Sequence, residues 1–478
     1  MYNGINPNKL KEECGVLGIY TRNNEETARL LYYGLYALQH RGQESAGIAV
    51  NNGLRSNYHK GMGLVPDVFG EDILSKLEGH MGVGHVRYSS AGESHVENAQ
   101  PLVARYRRGS ISIAHNGNLT NAKIIKEKLE DDGIVFQTST DSEVIMNLIA
   151  RYNSGGDGIV KAIERSMDLI RGAYGLVIMT EEELIGIRDP FAFRPLCLGE
   201  MEDGSHVISS ESCALDIMGA RLIRDIQPGE IVIINKDGIH SKYYEIKEER
   251  ASCIFEYVYF ARPDSIVDGV SIYAARKNAG QILAREHPAE ADMVVSVPDS
   301  SVPAAIGYSE ASAIPFGEGL IKNRYIGRTF IQPTQRGREL AVRLKLNPLK
   351  ETIEGKRIVL IDDSIIRGTT ISQLVARLKK EGAKEVHVRI SSPPVAHSCY
   401  FGIHTPNRNK LIGAVKTVKQ IRNMVKADSL GYISMEGLIE ATTLAKEHFC
   451  TACFSGNYPI EVARSGDKKV FERLSGGE

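Results

Sequence analysis

The sequence predicts two halves of different class, an α+β half followed by an α/β half with a parallel sheet, and three observations carry this. At 478 residues the chain is longer than one ordinary domain of about 150 residues. Up to about residue 235, short alternating apolar segments mix with helical ones without a regular strand–helix rhythm, as in α+β domains. Beyond the hydrophilic stretch NKDGIHSKYYEIKEER, residues 235–250, the order becomes strand, loop, helix, which predicts a parallel sheet covered by helices on both faces.

In the first half, Cys14 stands directly before the strand-like run GVLGIY, and SISIA (110–114) and GLVIMT (175–180) read as further strands. A helix is expected from Thr140, where Thr140 and Glu143 form a capping-box pattern and Val144, Ile145, Leu148 and Ile149 supply an apolar face. In the second half DMVVSV leads into PDSS, RIVLI into DDSIIRGTT, and EVHVRI into SSPP. The helix after DDSIIRGTT places Ile371, Leu374, Val375 and Leu378 on one face, Lys379 and Lys380 in its last turn, and Gly382 at its C-cap.

Composition narrows the function classes. With 58 Lys+Arg against 59 Asp+Glu the formal charge is −1, so no general attraction to nucleic acid or anionic membrane is built in, and small molecules or protein chains are the expected partners. No apolar run approaches the roughly 18 residues of a membrane span, and the opening MYNGINPNKLKEE lacks the apolar centre of a signal peptide, so a cytoplasmic protein is expected. Seven widely spaced cysteines, an odd number, favour catalysis or metal binding over a disulfide framework. Two motifs carry nothing: NSGGDG (153–158) follows a helix and not a strand, and the sequon Asn118-Leu119-Thr120 has no use in the cytosol.

The stretch VLIDDSIIRGTT, Val359 to Thr370, delivers Asp362 and Asp363 to the carboxyl edge of the expected sheet, where ligands of open α/β sheets bind. Arg367, Gly368, Thr369 and Thr370 then open a helix whose free N–H groups and dipole suit a phosphate. An isolated Asp-Asp pair is more often a strand-ending turn, but the full twelve residues resemble the phosphoribosyl-pyrophosphate (PRPP) loop of type I phosphoribosyltransferases. The resemblance implies that Asp362 and Asp363 serve the ribose hydroxyls and Mg²⁺ while Ser364, Arg367, Gly368, Thr369 and Thr370 wrap the 5-phosphate. It also makes Ser300 of PDSS a candidate Mg²⁺ ligand beside Asp299, although PDSS is equally an ordinary Pro-Asp turn. KNRYIGRTF (322–330), a solvated loop on its composition alone, looks like the family's flap, with Lys322 and Arg324 available for pyrophosphate.

Cys14 alone is more simply a buried core thiol than a nucleophile. RGQESAG (41–47), HVRYSSAG (85–92) and AHNGNLTN (114–121), followed by Asp141, change that weighing, because in order and spacing they resemble the glutaminase domain of class II amidotransferases. That domain is an αββα sandwich with an N-terminal nucleophile. The resemblance implies that Cys14 attacks the glutamine amide with its own freed α-amine as general base. Residues 1–13 must then be removed as a propeptide, since a peptide nitrogen is no base whereas an α-amine of pKa about 8 is. Asn116 and the Gly117 N–H would form the oxyanion hole, Arg87 would grip the substrate α-carboxylate, and Asp141 its α-ammonium. On their own, Arg87 is a surface strand residue and Asp141 a residue favouring a helix N-terminus.

Cys450 and Cys453 form CTAC, a spacing shared by zinc, redox and iron–sulfur sites. Cys253 and Cys399 complete a possible set of four, with His397 and His404 nearby, while Cys197 and Cys213 read as core thiols. Taken whole, the chain resembles the amidophosphoribosyltransferase family over nearly its full length. That implies a glutaminase domain at 14–240, a phosphoribosyltransferase domain at 241–478, and conversion of PRPP, glutamine and water to 5-phosphoribosylamine, glutamate and pyrophosphate. It further implies the branch with propeptide and a 4Fe-4S cluster at Cys253, Cys399, Cys450 and Cys453, with Zn²⁺ the alternative, and a homotetramer inhibited by purine nucleotides. A PRPP-binding regulatory protein with a residual glutaminase domain is the competing function. RDPFAFRPL (188–196) departs from the family, which usually has Gly-Ile at the positions of Ala192 and Phe193.

Overall fold

The computed structural model describes residues 14–22, 26–88, 94–244, 249–323 and 346–462. The expected propeptide and Arg324 lie outside the described residues. In the first half, two antiparallel sheets of seven and six strands face each other. Gly15–Tyr20 lies inside the seven-stranded sheet, between Met81–Arg87 and His206–Ser209. Gly109–Leu119 pairs with Gly172–Met179 in the other sheet. Side chains alternate along each strand, so Val16 joins Val83, Ala114, Val177 and Ile208 between the sheets. Leu17 and Ile19 turn the other way, onto Leu31 and Leu35 of the helix Thr27–Ala37 and Leu215 of Ser212–Met218. On the far side, Ile111 and Ile113 pack under Val144, Ile145 and Leu148 of Asp141–Ser154 and Ile163 of Ile159–Leu169. The layers are helix, sheet, sheet, helix, as the αββα expectation has it.

Two local expectations need correction. The helix begins after Thr140, but the capping box does not close: the Thr140 hydroxyl pairs with that of Thr138 at 2.9 Å. The Glu143 carboxylate reaches past the cap to accept from the N–H groups of Gln137 and Thr138, at 2.9 and 2.7 Å. The hydrophilic stretch after Asn235 is not all linker either. Gly238–Tyr243 pairs antiparallel with Glu230–Asn235 around a Lys236-Asp237 turn and forms the edge of the six-stranded sheet. An edge strand with one face in water has no need of a continuous apolar sequence.

In the second half, Met293–Ser296, Arg357–Asp362, Glu385–Ile390 and Ser429–Tyr432 form a parallel sheet in that order. One face carries Val294, Val359 and Ile361 against Leu283, Ala305 and Leu438 of the helices Ile272–Glu286, Val302–Ser312 and Met435–Thr442. Val295, Ile358 and Leu360 turn to the opposite face, onto Thr369–Lys380 and Val418–Val425. Ile371, Leu374, Val375 and Leu378 are buried as expected; the cap is Glu381, one residue before the expected Gly382, which follows it in the left-handed conformation at φ +100°. The larger core of this half also takes in Ala173 and Phe193 from the first, so the halves share buried apolar surface. Among the described residues, no helix is long and apolar enough to cross a membrane.

Candidate active sites

Cys14 precedes the strand Gly15–Tyr20, and the register that sets Gly15 opposite Val86 brings it beside Arg87. Its Sγ stands 3.5 Å from the Tyr88 carbonyl, and its own carbonyl accepts from Arg41 Nε at 3.2 Å. Arg87 is only 2 % exposed and donates through Nη1 to Glu44 Oε1 at 2.8 Å, so it is not a surface strand residue. From the facing sheet, His115 accepts at its carbonyl from His85 Nε2 at 3.1 Å; burial pushes the His85 ring down to about 3, leaving it neutral. Next along the strand is Asn116, buried, with neither Nδ2 nor Oδ1 partnered among the described residues. Gly117, at φ +151°, approaches the neighbouring strand so closely that a Cβ would stand 2.0 Å from the Ala173 carbonyl oxygen.

Asp141 opens its helix and is buried. Its Oδ2 accepts from the Leu119 N–H at 2.8 Å and its Oδ1 lies 3.6 Å from His115 Nδ1. Burial would raise this carboxyl, but the His115 ring and the backbone N–H outweigh burial and hold it below the ordinary carboxylate range. Sequence reasoning passed over Glu44 and Arg41, although both stand in the quoted RGQESAG. Arg41, 1 % exposed, pairs with Glu211 and sends Nη1 and Nη2 to Glu256 at 3.0 and 2.7 Å, joining the residue that carries the Cys14 carbonyl to the second half. Burial acts to raise Glu211, yet His40, Arg41 and Ser265 hold it well below its usual value.

At the second site, Asp362 ends its strand and Asp363 follows, both buried. Ser300 Oγ donates to Asp363 Oδ2 at 2.6 Å and Ser364 Oγ to Asp363 Oδ1 at 2.8 Å, while Ser301 Oγ reaches Asp362 Oδ1 at 3.4 Å. DDS and PDSS therefore meet at one sheet edge, as their strand ends predicted. Lys322 is ion-paired to Asp299 there. Gly368, at φ +79°, is the cap of the helix Thr369–Lys380. Asp362, Ser364, Gly368 and Thr370 line one small pocket with Ile365, Ile366 and Ile371, and the buried Thr370 hydroxyl finds no partner among the described residues. Arg367 stands in the loop just before the cap and Thr369 is the first residue of the helix.

Cys253 and Cys450 are opposite one another in a short parallel bridge, and Cys399 and Cys453 share their core. Burial pushes the Cys450 thiol up to about 12 and the Cys453 thiol well above its ordinary value, with the neighbouring cysteine sulfurs adding to the effect. None of the seven cysteines is in a disulfide. Among the described residues, no group of three or more His, Cys, Asp and Glu side chains stands as a ligand set for a single metal ion. Cys197 and Cys213 are buried core thiols, as expected.

These two sites on these two folds define the class: a glutamine amidotransferase domain joined to a phosphoribosyltransferase domain. Residues 85–216 match the glutamine amidotransferase domain family and residues 264–391 the phosphoribosyl transferase domain family. The amidophosphoribosyltransferase of Methanothermobacter thermautotrophicus is 48% identical over 96% of this chain and 97% of its own. That of Bacillus subtilis is 48% identical over 95% of each. The solved structure of B. subtilis glutamine PRPP amidotransferase, complexed with ADP and GMP, superposes with a TM-score of 0.88 at 47% identity, covering 95% of this chain and 98% of that one. The chain belongs to the amidophosphoribosyltransferase family.

Proposed function

We propose that this chain catalyses the first step of purine synthesis, forming 5-phosphoribosylamine, glutamate and pyrophosphate from PRPP, glutamine and water. The observation that carries the reading is that two of the buried groups without partners among the described residues, the Asn116 amide in one half and the Thr370 hydroxyl in the other, fall at the two sites. Buried polar atoms without partners are costly, and each of these stands where its half-reaction develops or binds negative charge.

In this reading residues 1–13 are removed, the glutaminase runs from 14 through the edge strand that ends at Tyr243, a few residues past the expected 240, and the transferase follows. The Cys14 α-amine takes the thiol proton as Sγ attacks the side-chain amide of glutamine. Asn116 Nδ2 and the Gly117 N–H stabilise the oxyanion, the amine returns its proton to the departing ammonia, and water then releases glutamate from the thioester. Arg87, held in place by Glu44, binds the substrate carboxylate, and Asp141, kept ionised by its surroundings, binds the ammonium. Ammonia freed into neutral water would be protonated and lose its nucleophilicity, so delivery along the shared core of the halves preserves it. It attacks C1 of PRPP with inversion, while the loop at Ser364, Arg367, Gly368, Thr369 and Thr370 holds the 5-phosphate and Lys322 and Arg324 attend the pyrophosphate.

Asp362, Asp363 and Ser300 offer the hard oxygen donors that suit Mg²⁺, which when bound would offset charge on the leaving pyrophosphate. Cys253, Cys399, Cys450 and Cys453 would hold a 4Fe-4S cluster; all four belong to one core, although among the described residues they are not drawn together as a ligand set, and the absence of electron transfer from either half-reaction makes its contribution structural. Zn²⁺ at the same thiols is the alternative, and equal iron and sulfide without zinc in purified protein decides for the cluster. The same reading makes the protein a cytoplasmic homotetramer inhibited by purine nucleotides; the ADP- and GMP-bound relative supports the nucleotide part alone.

The test compares pyrophosphate release fed by glutamine with release fed by ammonia, in wild type and Cys14→Ala. The variant loses the glutamine-fed rate alone. Equal loss of both, or no pyrophosphate from either source in the matured wild type, overturns the two-site reading and favours a regulatory PRPP-binding protein.

A further inference from the structure

Asn118 lies one residue past Gly117 on the strand that carries the proposed oxyanion hole, and its side chain points out of its own half. Nδ2 donates to the Tyr400 carbonyl at 2.9 Å, across 282 residues of sequence, with a weaker contact to the Leu119 carbonyl at 3.4 Å. The segment that receives it, residues 400–402, is fastened on every side. Arg194 Nη2 donates to the Phe401 carbonyl, the Phe401 ring stacks on Phe193 with centroids 4.3 Å apart, and the Phe401 N–H donates to Cys399 Sγ at 3.3 Å. It also presses on the oxyanion strand: a Cβ on Gly402, at φ +117°, would stand 3.3 Å from Cα and C of Gly117, and 2.9 Å from Arg194 Nη2.

Gly117 has no side chain to fix its peptide plane, and glycine is the residue with the most backbone freedom to lose. Yet an oxyanion donor works only if its N–H is aimed in advance at the developing charge. We propose that residues 400–402 are a brace from the second half that sets the Gly117 peptide for glutamine hydrolysis, with Asn118 the positioning residue that fastens it. The inference rests on the proposed glutaminase reading. It gives the sequon asparagine an occupation, since its amide is committed to a carbonyl, and it gives the Ala192-Phe193 departure one too, since Phe193 is the surface on which the brace stacks.

The test uses the full-length, matured chain with three readouts: glutamate release from glutamine, its KM, and ammonia-fed pyrophosphate release. Asn118→Ala and the near-isosteric Asn118→Asp, which removes the donor, lower kcat for glutamine by about ten- to a hundred-fold, the scale expected of a misplaced catalytic group. The KM for glutamine and the ammonia-fed rate stay at wild-type values, and Asn118→Gln, which keeps an amide donor, recovers part of the loss. Gly402→Ala, which pushes on Gly117 from the other side, gives the same kcat-only signature and is the variant to use if Asn118→Ala does not fold. Wild-type kcat in Asn118→Ala and Gly402→Ala overturns the inference. So does a rise in KM alone, or a parallel fall in the ammonia-fed rate, which marks general packing. Absence of phosphoribosylamine synthesis in wild type sinks the proposed function instead, because glutamate release still reads the brace.

Discussion

Replacing Asn116 by alanine removes an amide that is 1 % exposed and has no hydrogen-bond partner at either Nδ2 or Oδ1 among the described residues. If that amide awaits the oxyanion, its loss costs about 10²- to 10³-fold in kcat for glutamine, or roughly 2.7–4 kcal/mol of transition-state stabilisation. The stability effect has the opposite sign. Each unsatisfied buried polar atom costs about 1–3 kcal/mol in the folded state, so deleting two of them offsets the small void left by truncation. The melting temperature of Asn116→Ala therefore stays level or rises, by about 2–4 °C for each kcal/mol gained in a domain of this size. Glutamate release, ammonia-fed pyrophosphate release and a thermal melt on one preparation decide the matter. A lower melting temperature together with near-wild-type glutamine kcat would show Asn116 to be a structural residue and refute the assignment, as would a matching fall in the ammonia-fed rate.

Asp141 has a depressed carboxyl pKa, so its stabilising contribution is fully present above the ordinary carboxylate range and is lost as pH falls through the depressed value. Asp141→Asn is thus destabilised above the ordinary carboxylate range, and melts taken at a pH low enough to protonate the wild-type carboxyl bring the two together; a gap that persists there contradicts this account. Gly368→Ala would place a Cβ at φ +79° only 2.4 Å from Met424 Cε and 3.0 Å from Ile412 Cδ1. With a left-handed cost of about 1–2 kcal/mol added to that clash, the KM for PRPP rises by about ten-fold whichever nitrogen source is supplied, and a loss confined to glutamine-fed turnover counts against the phosphate-loop role.

What could be read from the chain alone was whatever is local. Asp362 and Asp363 were conspicuous because charge following four apolar strand residues has to surface at a sheet edge, and the structure puts Ser300 within 2.6 Å of Asp363. Gly238–Tyr243 escaped notice because an edge strand needs no apolar face toward solvent. The capping box misled because Thr138, outside the four-residue pattern, competes for the Thr140 hydroxyl. Most of what escaped notice is long-range. Arg41 and Glu256 are 215 residues apart, and no periodicity or spacing announces that one neutralises the other. Glu44 was in plain view within a quoted motif, but its bond to Arg87 depends on two strands meeting in register, which only the folded sheet supplies.

The Arg41–Glu256 pair limits how this chain can be divided. Arg41 belongs to the half that carries Cys14, and a protein severed after the edge strand ending at Tyr243 would leave its guanidinium, 1 % exposed in the intact chain, without Glu256. Glu211 would remain to pair with it, but one of the two carboxylates that flank the guanidinium would be gone, and the cut would also bare Ala173 and Phe193 to water. Neither catalytic unit is therefore a free-standing cassette. Domain-swapped chimaeras built from relatives must carry both faces of this seam together.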